Sequence, residues 1–437
     1  MVFLKDGSDL DLQKQKRLLS KVKIDFRYIL LFLILASSQA FGQEAEEKKI
    51  KIEASGFIKS DIYFDSRQNV EALEGLLHLF PKDVDYDENG MDINAKSSLG
   101  IVDISSRIRG KISGPDIFGA KLTGLLEVDF TGVTGGFSTS RVRLRHAYSK
   151  LTWEKTEILF GQDWHPMFVK EVYPSVMSLN TGIPFQPFNR SPQLLVSHEI
   201  GKIKFIGAAI SQADYVNSGP DGKSAKYLKN SNIPNLHLQI QYRPGNFLFG
   251  VALDYKCIQP RISVDTALTG GLNYITEEKL NSYAGMAYLK YQKSKFLFKA
   301  KAIYGQNLSE NIMPGGYGVS NIDPITGVEE YTSFNHMYTW ANIVYGDRTK
   351  VGLFGGYTKN LGSGDVIVGE KYGMALNLDY VYRITPTVSH KIKNFLLAME
   401  LEYTVAAYGD EMDKYNKFTK SHEVSNTRLL FSVFHFF

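Results

Sequence analysis

The chain of 437 residues holds a single cysteine, Cys257, so no internal disulfide can form and no cysteine cluster can bind a metal. Long apolar runs are also missing. Tyr28 to Ala36 is the one stretch that approaches a membrane helix, and it is too short to span. Charge is close to balanced, with 50 Lys and Arg against 46 Asp and Glu, which argues against nucleic-acid binding through bulk charge. No HExxH, phosphate-binding glycine loop or CxxC motif is present. What the chain does have is aromatic side chains, 25 Tyr and 27 Phe, set in repeated stretches of apolar–polar alternation.

The apolar run is preceded by Lys21, Lys23 and Arg27 and followed by Ser38-Gln39-Ala40. A basic flank, a short apolar core and small residues describe a secretory signal peptide, with cleavage near Ala40 or Gly42. Residues 1–42 are therefore expected to be a leader and 43–437 the mature domain. The leader carries seven basic and four acidic residues, so the mature chain is nearly neutral.

Side chains two apart on a strand share a face. From Ile50, Ile52, Ala54, Ile58, Ile62 and Phe64 fall on one face, and Lys51, Glu53, Lys59, Asp61 and Asp65 on the other. Val102, Ile104, Ile108 and Ile112 oppose Asp103, Arg107, Arg109 and Lys111. Leu122, Leu126, Val128 and Phe130 oppose Lys121, Thr123, Glu127 and Asp129. The pattern recurs over 236–243, 247–256, 296–304, 351–357, 372–382 and 395–403. Short turns such as Pro244-Gly245-Asn246 alternate with long polar loops such as 66–96, 165–192 and 307–331. This predicts an all-β transmembrane antiparallel barrel of about 16 strands, with short periplasmic turns and long external loops. A barrel of that size has an interior too wide for wall side chains to fill, so a water-filled lumen is expected. A soluble sandwich would need a second sheet to cover each apolar face. A TonB-dependent receptor needs about 22 strands, too many for this length. The last strand puts Leu429, Phe431, Val433 and Phe437 on one face, resembling the signal read by the outer-membrane assembly machinery.

Ser140 to Trp153 places Arg141, Arg143 and Arg145 on one face, opposite Val142, Leu144, His146 and Tyr148. Arg107 and Arg109 are expected to join the three arginines in a pore lining, with Glu127 and Asp129 on the strand between. Rows of arginine in a pore favour anions, because the guanidinium fork matches carboxylate and phosphate. The competing account is a salt-bridge lattice that only stiffens the wall. Residues 165–192 contain five prolines and cannot form one regular element. They are expected either to fold into the barrel, with Lys170, Glu171 and Arg190 at a constriction, or to pack outside against a neighbouring subunit. The acidic loop Asp83 to Asp92 is a poor match to calcium-loop spacing and reads as solvated.

Gly161-Gln162-Asp163-Trp164-His165-Pro166-Met167-Phe168 and Asn180 to Arg190 resemble the Bacteroidetes outer-membrane porins related to the DcaP-type trimeric porins. Gly56 to Gln68 is similar to their first strand. The resemblance implies a homotrimer of 16-stranded barrels in the outer membrane of a Gram-negative cell. It also implies passive diffusion of small hydrophilic, anionic solutes, with no cofactor, no metal and no catalytic residue. The alternatives from other classes are an outer-membrane barrel enzyme of the lipase or protease type and an adhesion or structural barrel. Nine histidines are present, but none falls in a Ser/His/Asn pattern.

Overall fold

The computed structural model describes residues 50–132, 141–265 and 271–437. The expected leader lies outside the described residues, as does most of the glycine-rich stretch before the arginine strand. The wall consists of β1 (Lys51–Asp65), β2 in two pieces (Ser98–Val102 and Arg107–Ser113), β3 (Lys121–Asp129), β4 (Arg143–Thr152) and β5 (Thr156–Trp164). It continues through β6 (Arg190–Ile200), β7 (Ile203–Ile210), β8 (Asn235–Tyr242), β9 (Phe247–Ile258), β10 (Leu280–Lys293) and β11 (Phe296–Gln306). It ends with β12 (Glu329–Gly346), β13 (Thr349–Ser363), β14 (Leu378–Ile392), β15 (Phe395–Met412) and β16 (Phe418–Phe436). Each strand pairs antiparallel with its sequence neighbours. β16 returns to β1 with Phe57 opposite Phe436 and Asp65 opposite Arg428, which closes a 16-strand barrel and leaves no free edge in the wall. Connections such as 201–202, 294–295 and 393–394 are tight on one rim, and those on the other are long, as expected.

The alternation in the sequence becomes the inside and outside of the wall. On β8 and β9, Leu238 and Leu253 are 67% and 69% exposed, whereas His237, Gln239, Gln241 and Lys256 are buried. On β1, Ile58, Ile62 and Phe64 point outward while Lys59, Asp61 and Asp65 are buried inside. So many outward Leu, Ile, Val and Phe side chains on a water-soluble surface would be an aggregation liability; facing lipid, they are in their own solvent.

The phase of the alternation slips in three places. The break at Asp103–Ser106 inside β2 turns Val102 and Ile104 inward, against the expected outward face; Leu99 and Ile101 take that face instead. Between β3 and β4 a bulge sets Glu127 opposite His146 but Val128 opposite Leu144, leaving Arg145 as the extra residue. Arg143, Arg145, His146 and Tyr148 consequently all lie on the inner side, correcting the placement of His146 and Tyr148 on the apolar face. The expected strand over 372–382 is two pieces. Lys371–Met374 pairs with Gly315–Gly318 beyond the wall, Ala375 turns the chain, and β14 begins at Leu378, which is buried inside rather than facing lipid.

The interior is not simply water. The hairpin of Asn69–Ala72 and Leu77–Pro81 and the segment 165–189 both fold into the barrel. Leu77, Phe80, Met167, Val172, Ile183, Phe185 and Phe188 pack there against Trp340, Phe354 and Val381 of the wall. Of the two courses expected for 165–192, the one into the barrel is found, so loop side chains narrow the lumen.

Candidate functional site: a lumenal arginine lattice and the segment that crosses it

Glu127 and Asp129, two apart on β3, point inward and are almost fully buried. Burying two carboxylates demands cations close by, and the adjoining strands supply them. Arg109 of β2 bonds Glu127 through Nε at 2.8 Å. Arg145 bridges the pair, with Nε 2.7 Å from Glu127 and Nη1 2.8 Å from Asp129. Arg143 completes it through Nη2, 2.8 Å from Asp129. Arg143 and Arg145, two apart, converge on Asp129, with Arg145 the residue that the bulge adds. The lattice expected as the scaffolding alternative is thus present. Arg141 does not join it: it is exposed, lies before the first residue of β4 and makes an isolated bridge to Thr131.

Two arginines beside the lattice have no carboxylate partner among the described residues. Arg107 of β2 lies over the Phe57 ring at 5.1 Å, and its Nε is buried without a hydrogen bond. Arg190, the first residue of β6, is 1% exposed. Its guanidinium carbon sits 4.7 Å from the Trp164 ring centre and 5.1 Å from those of Phe188 and Tyr215. Nη2 donates to the Tyr215 hydroxyl, while Nε and Nη1 have no partner. Aromatic faces offset part of the cost of burying a cation, yet a buried guanidinium with unused donors remains an electrostatic source. Sequence reading singled out Arg190 but missed its cage, because Trp164, Phe188 and Tyr215 come from three separate stretches.

The segment 165–189 lies inside the barrel, attached mostly through its backbone. Lys59 of β1 donates to the Met177 carbonyl at 3.0 Å, and Lys299 of β11 to Tyr173 at 2.6 Å. Lys301 donates to the Met167 and Phe168 carbonyls at 2.9 and 3.0 Å. Arg383 of β14 reaches the Ile183 carbonyl at 3.0 Å. Glu400 of β15 accepts from the Met177 N–H at 2.6 Å, and Glu402 accepts from the Ser178 hydroxyl and the Asn180 amide. The other inward hairpin joins the same knot, since His78 Nδ1 lies 2.7 Å from Glu402 and Arg383 also donates to the Leu79 carbonyl. The alternation marked Glu400 and Glu402 as inward; nothing local could show that their partners lie more than two hundred residues away.

Lys170 and Glu171, expected at a constriction, stand where this segment meets β5 and β8. Lys170 pairs with Asp163, and Glu171 holds Arg243 through two bonds of 2.7 Å. Both line a 190 Å³ cavity together with Tyr148, Glu157, Lys204 and Arg243. A second cavity of 630 Å³ opens beside Arg143, Tyr215, Asp214 and Glu310. Arg143 borders the second cavity and Trp164 the first, with Arg190 stacked on Trp164.

The acidic loop uses its own carboxylates. Asp87 accepts N–H bonds from Asn89 and Met91, and the Met91 bond holds its carboxyl below the usual range. Asp92 pairs with Arg67 at 2.6 Å and caps the turn at Asn94.

No protein-family model matches the chain, and no curated protein resembles it closely enough to match. Solved structures do. The outer membrane channel DcaP of Acinetobacter baumannii aligns with a TM-score of 0.64 at 16% identity, over 90% of this chain and 99% of that one. OmpT, an outer membrane protein of Vibrio cholerae, aligns at 0.53 and 10% identity, over 90% and 100%. OmpF of Salmonella typhi, solved with daunomycin, aligns at 0.50 and 10% identity, over 89% and 98%. At these identities the likeness is one of fold: this chain is a 16-strand barrel of the kind built by outer-membrane proteins of Gram-negative bacteria.

Proposed function

We propose that the protein is an outer-membrane porin through which small hydrophilic anions diffuse passively, between the wall β2–β5 and the inward segment 165–189. The observation that carries this reading is the charge imbalance at that level. Five guanidinium groups (Arg107, Arg109, Arg143, Arg145 and Arg190) face two carboxylates, Glu127 and Asp129, and Arg107 and Arg190 lack an anionic partner. Charges fixed in a low-dielectric wall act across a narrow passage with little screening, so the surplus draws anions and repels cations. Lys170 and Glu171 would tune the passage on the side of the smaller cavity. The reading includes a homotrimer, supported by the trimeric form of the OmpT neighbour, a lipid surround, and insertion by the assembly machinery through the strand ending at Phe437. It contains no catalytic step and needs no cofactor.

The test is the reversal potential under a KCl gradient across a planar bilayer, for the wild type and for Arg107→Gln/Arg190→Gln. Anion selectivity in the wild type that falls in the double variant is expected. A conducting channel with equal selectivity in both keeps the porin and removes these arginines from its filter. Absence of conductance in folded protein returns the enzyme and adhesion readings.

A further inference from the structure

His237 and Asp254 are direct cross-strand partners on β8 and β9, both facing inward and buried. His165, the first residue after β5, brings a third buried side chain to them, its ring 5.9 Å from that of His237. We propose that His165, His237 and Asp254 form a binding site for a divalent transition-metal ion, zinc above others.

Two of the three ligand-to-ligand distances suit a tetrahedral ion. Zinc held at about 2.0–2.1 Å by nitrogen and oxygen ligands sets neighbouring ligand atoms roughly 3.3 Å apart. Asp254 Oδ2 lies 3.0 Å from His237 Nδ1 and 3.7 Å from His165 Nε2, either side of that value. The three ligand atoms all fall within 4.8 Å of one another. The 3.7 Å separation is too long for a hydrogen bond; His165 Nε2 has instead a long 3.4 Å contact with Asn235 Nδ2, which an ion between Nε2 and Oδ2 would replace. Two imidazoles and one carboxylate suit zinc, nickel or copper; magnesium and calcium prefer all-oxygen shells.

The surroundings also fit. A metal on His237 Nδ1 places that ring's proton on Nε2, which faces Gln239 Oε1 at 3.0 Å, the outer-shell bond that orients metal-binding histidines. Asn235 Nδ2 donates to Asp254 in a forked contact, 3.0 Å from Oδ1 and 3.1 Å from Oδ2; an ion on Oδ2 would confine it to Oδ1. The nearby cation Lys256 is neutralised by Glu310 at 2.6 Å. A metal on His165 Nε2 costs the long 3.3 Å contact from the Met167 N–H to Nδ1, a weak bond exchanged for a strong one. His165 and Gln239 line the 190 Å³ cavity, which therefore opens beside the cluster. Since His165 opens the inward segment, the ion would tie that segment to β8 and β9.

The full protein in detergent, stripped with chelator, is titrated with Co²⁺ and with Zn²⁺. A tetrahedral cobalt absorption band, saturating at one equivalent and abolished by zinc, is expected, with a zinc-dependent rise in Tm. His237→Gln and Asp254→Asn should each weaken zinc binding by about 100-fold or more, while His336→Gln, at a buried histidine of β12 outside the cluster, should leave it unchanged. A folded wild type with no cobalt band and no zinc heat overturns the site. So does binding that is equal in wild type and all variants. If a ligand variant fails to fold, the wild-type cobalt spectrum alone decides.

Discussion

Arg145 and Arg190 are both buried arginines near one level of the barrel, and they do opposite work. Arg145 neutralises Glu127 and Asp129 together, so Arg145→Ala leaves two buried carboxylates short of a cation. A loss of about 3 kcal/mol is expected, read as a lower denaturation midpoint of the detergent-solubilised protein. Arg190 pairs with no carboxylate, so Arg190→Leu strands no anion. Its stability should change by less than about 1 kcal/mol, or rise, because a costly buried charge disappears. If Arg190→Leu destabilises as much as Arg145→Ala, the cage is structural and the surplus-charge account of selectivity weakens. The arginines and their acidic opponents were legible in the sequence, as residues alternating on neighbouring strands. Which arginine was spoken for and which was spare was not, since that depends on the bulge at Arg145 and on an aromatic cage gathered from distant positions.

Strands and turns were legible because the outward apolar face has to be continuous in lipid, and that requirement writes a period of two. The period fails where a strand bends. The break at Asp103–Ser106 and the bulge beside Glu127 each add residues without any local mark, and every side chain beyond them changes face. Five prolines showed that 165–192 was irregular, but its course across the interior is set by partners on β1, β11, β14 and β15. Gly161 on β5 lies directly against the β4 backbone. Its φ is +124°, and a Cβ there would fall 2.3 Å from the Ala147 carbonyl oxygen. Gly161→Ala should therefore cost about 1–3 kcal/mol, and an unchanged unfolding midpoint would contradict that fit. Lys301→Met removes the donor to two buried carbonyls at the start of the inward segment. Each unmet carbonyl costs about 1–3 kcal/mol, so the segment should loosen and open-channel current noise should rise; noise identical to wild type would mean the other attachments suffice.

The molecule as a whole is nearly neutral, so the anion selectivity proposed above rests on local fields inside the barrel rather than on net charge. Such fields shrink with salt. The screening length falls from about 10 Å at 0.1 M to about 3 Å at 1 M, so the anion preference measured from reversal potentials should fall steadily between those KCl concentrations. A preference independent of salt would point to size exclusion in place of charge. Closure of the wall by β1 and β16 is what holds β2–β5 in a fixed curve, and thus fixes the distance over which those fields act.

The wall grips the inward segment by its peptide groups: carbonyls of Met167, Phe168, Tyr173, Met177 and Ile183, and the N–H of Met177. A peptide group is the same whatever residue carries it. The mooring is therefore indifferent to most of the side chains moored, and those at Lys170, Glu171 and Tyr173 can be exchanged while the anchor points stay as they are. The barrel behaves as a socket and the segment as a cartridge: changing Lys170 or Glu171 breaks a pair with Asp163 or Arg243 but leaves the backbone moorings in place.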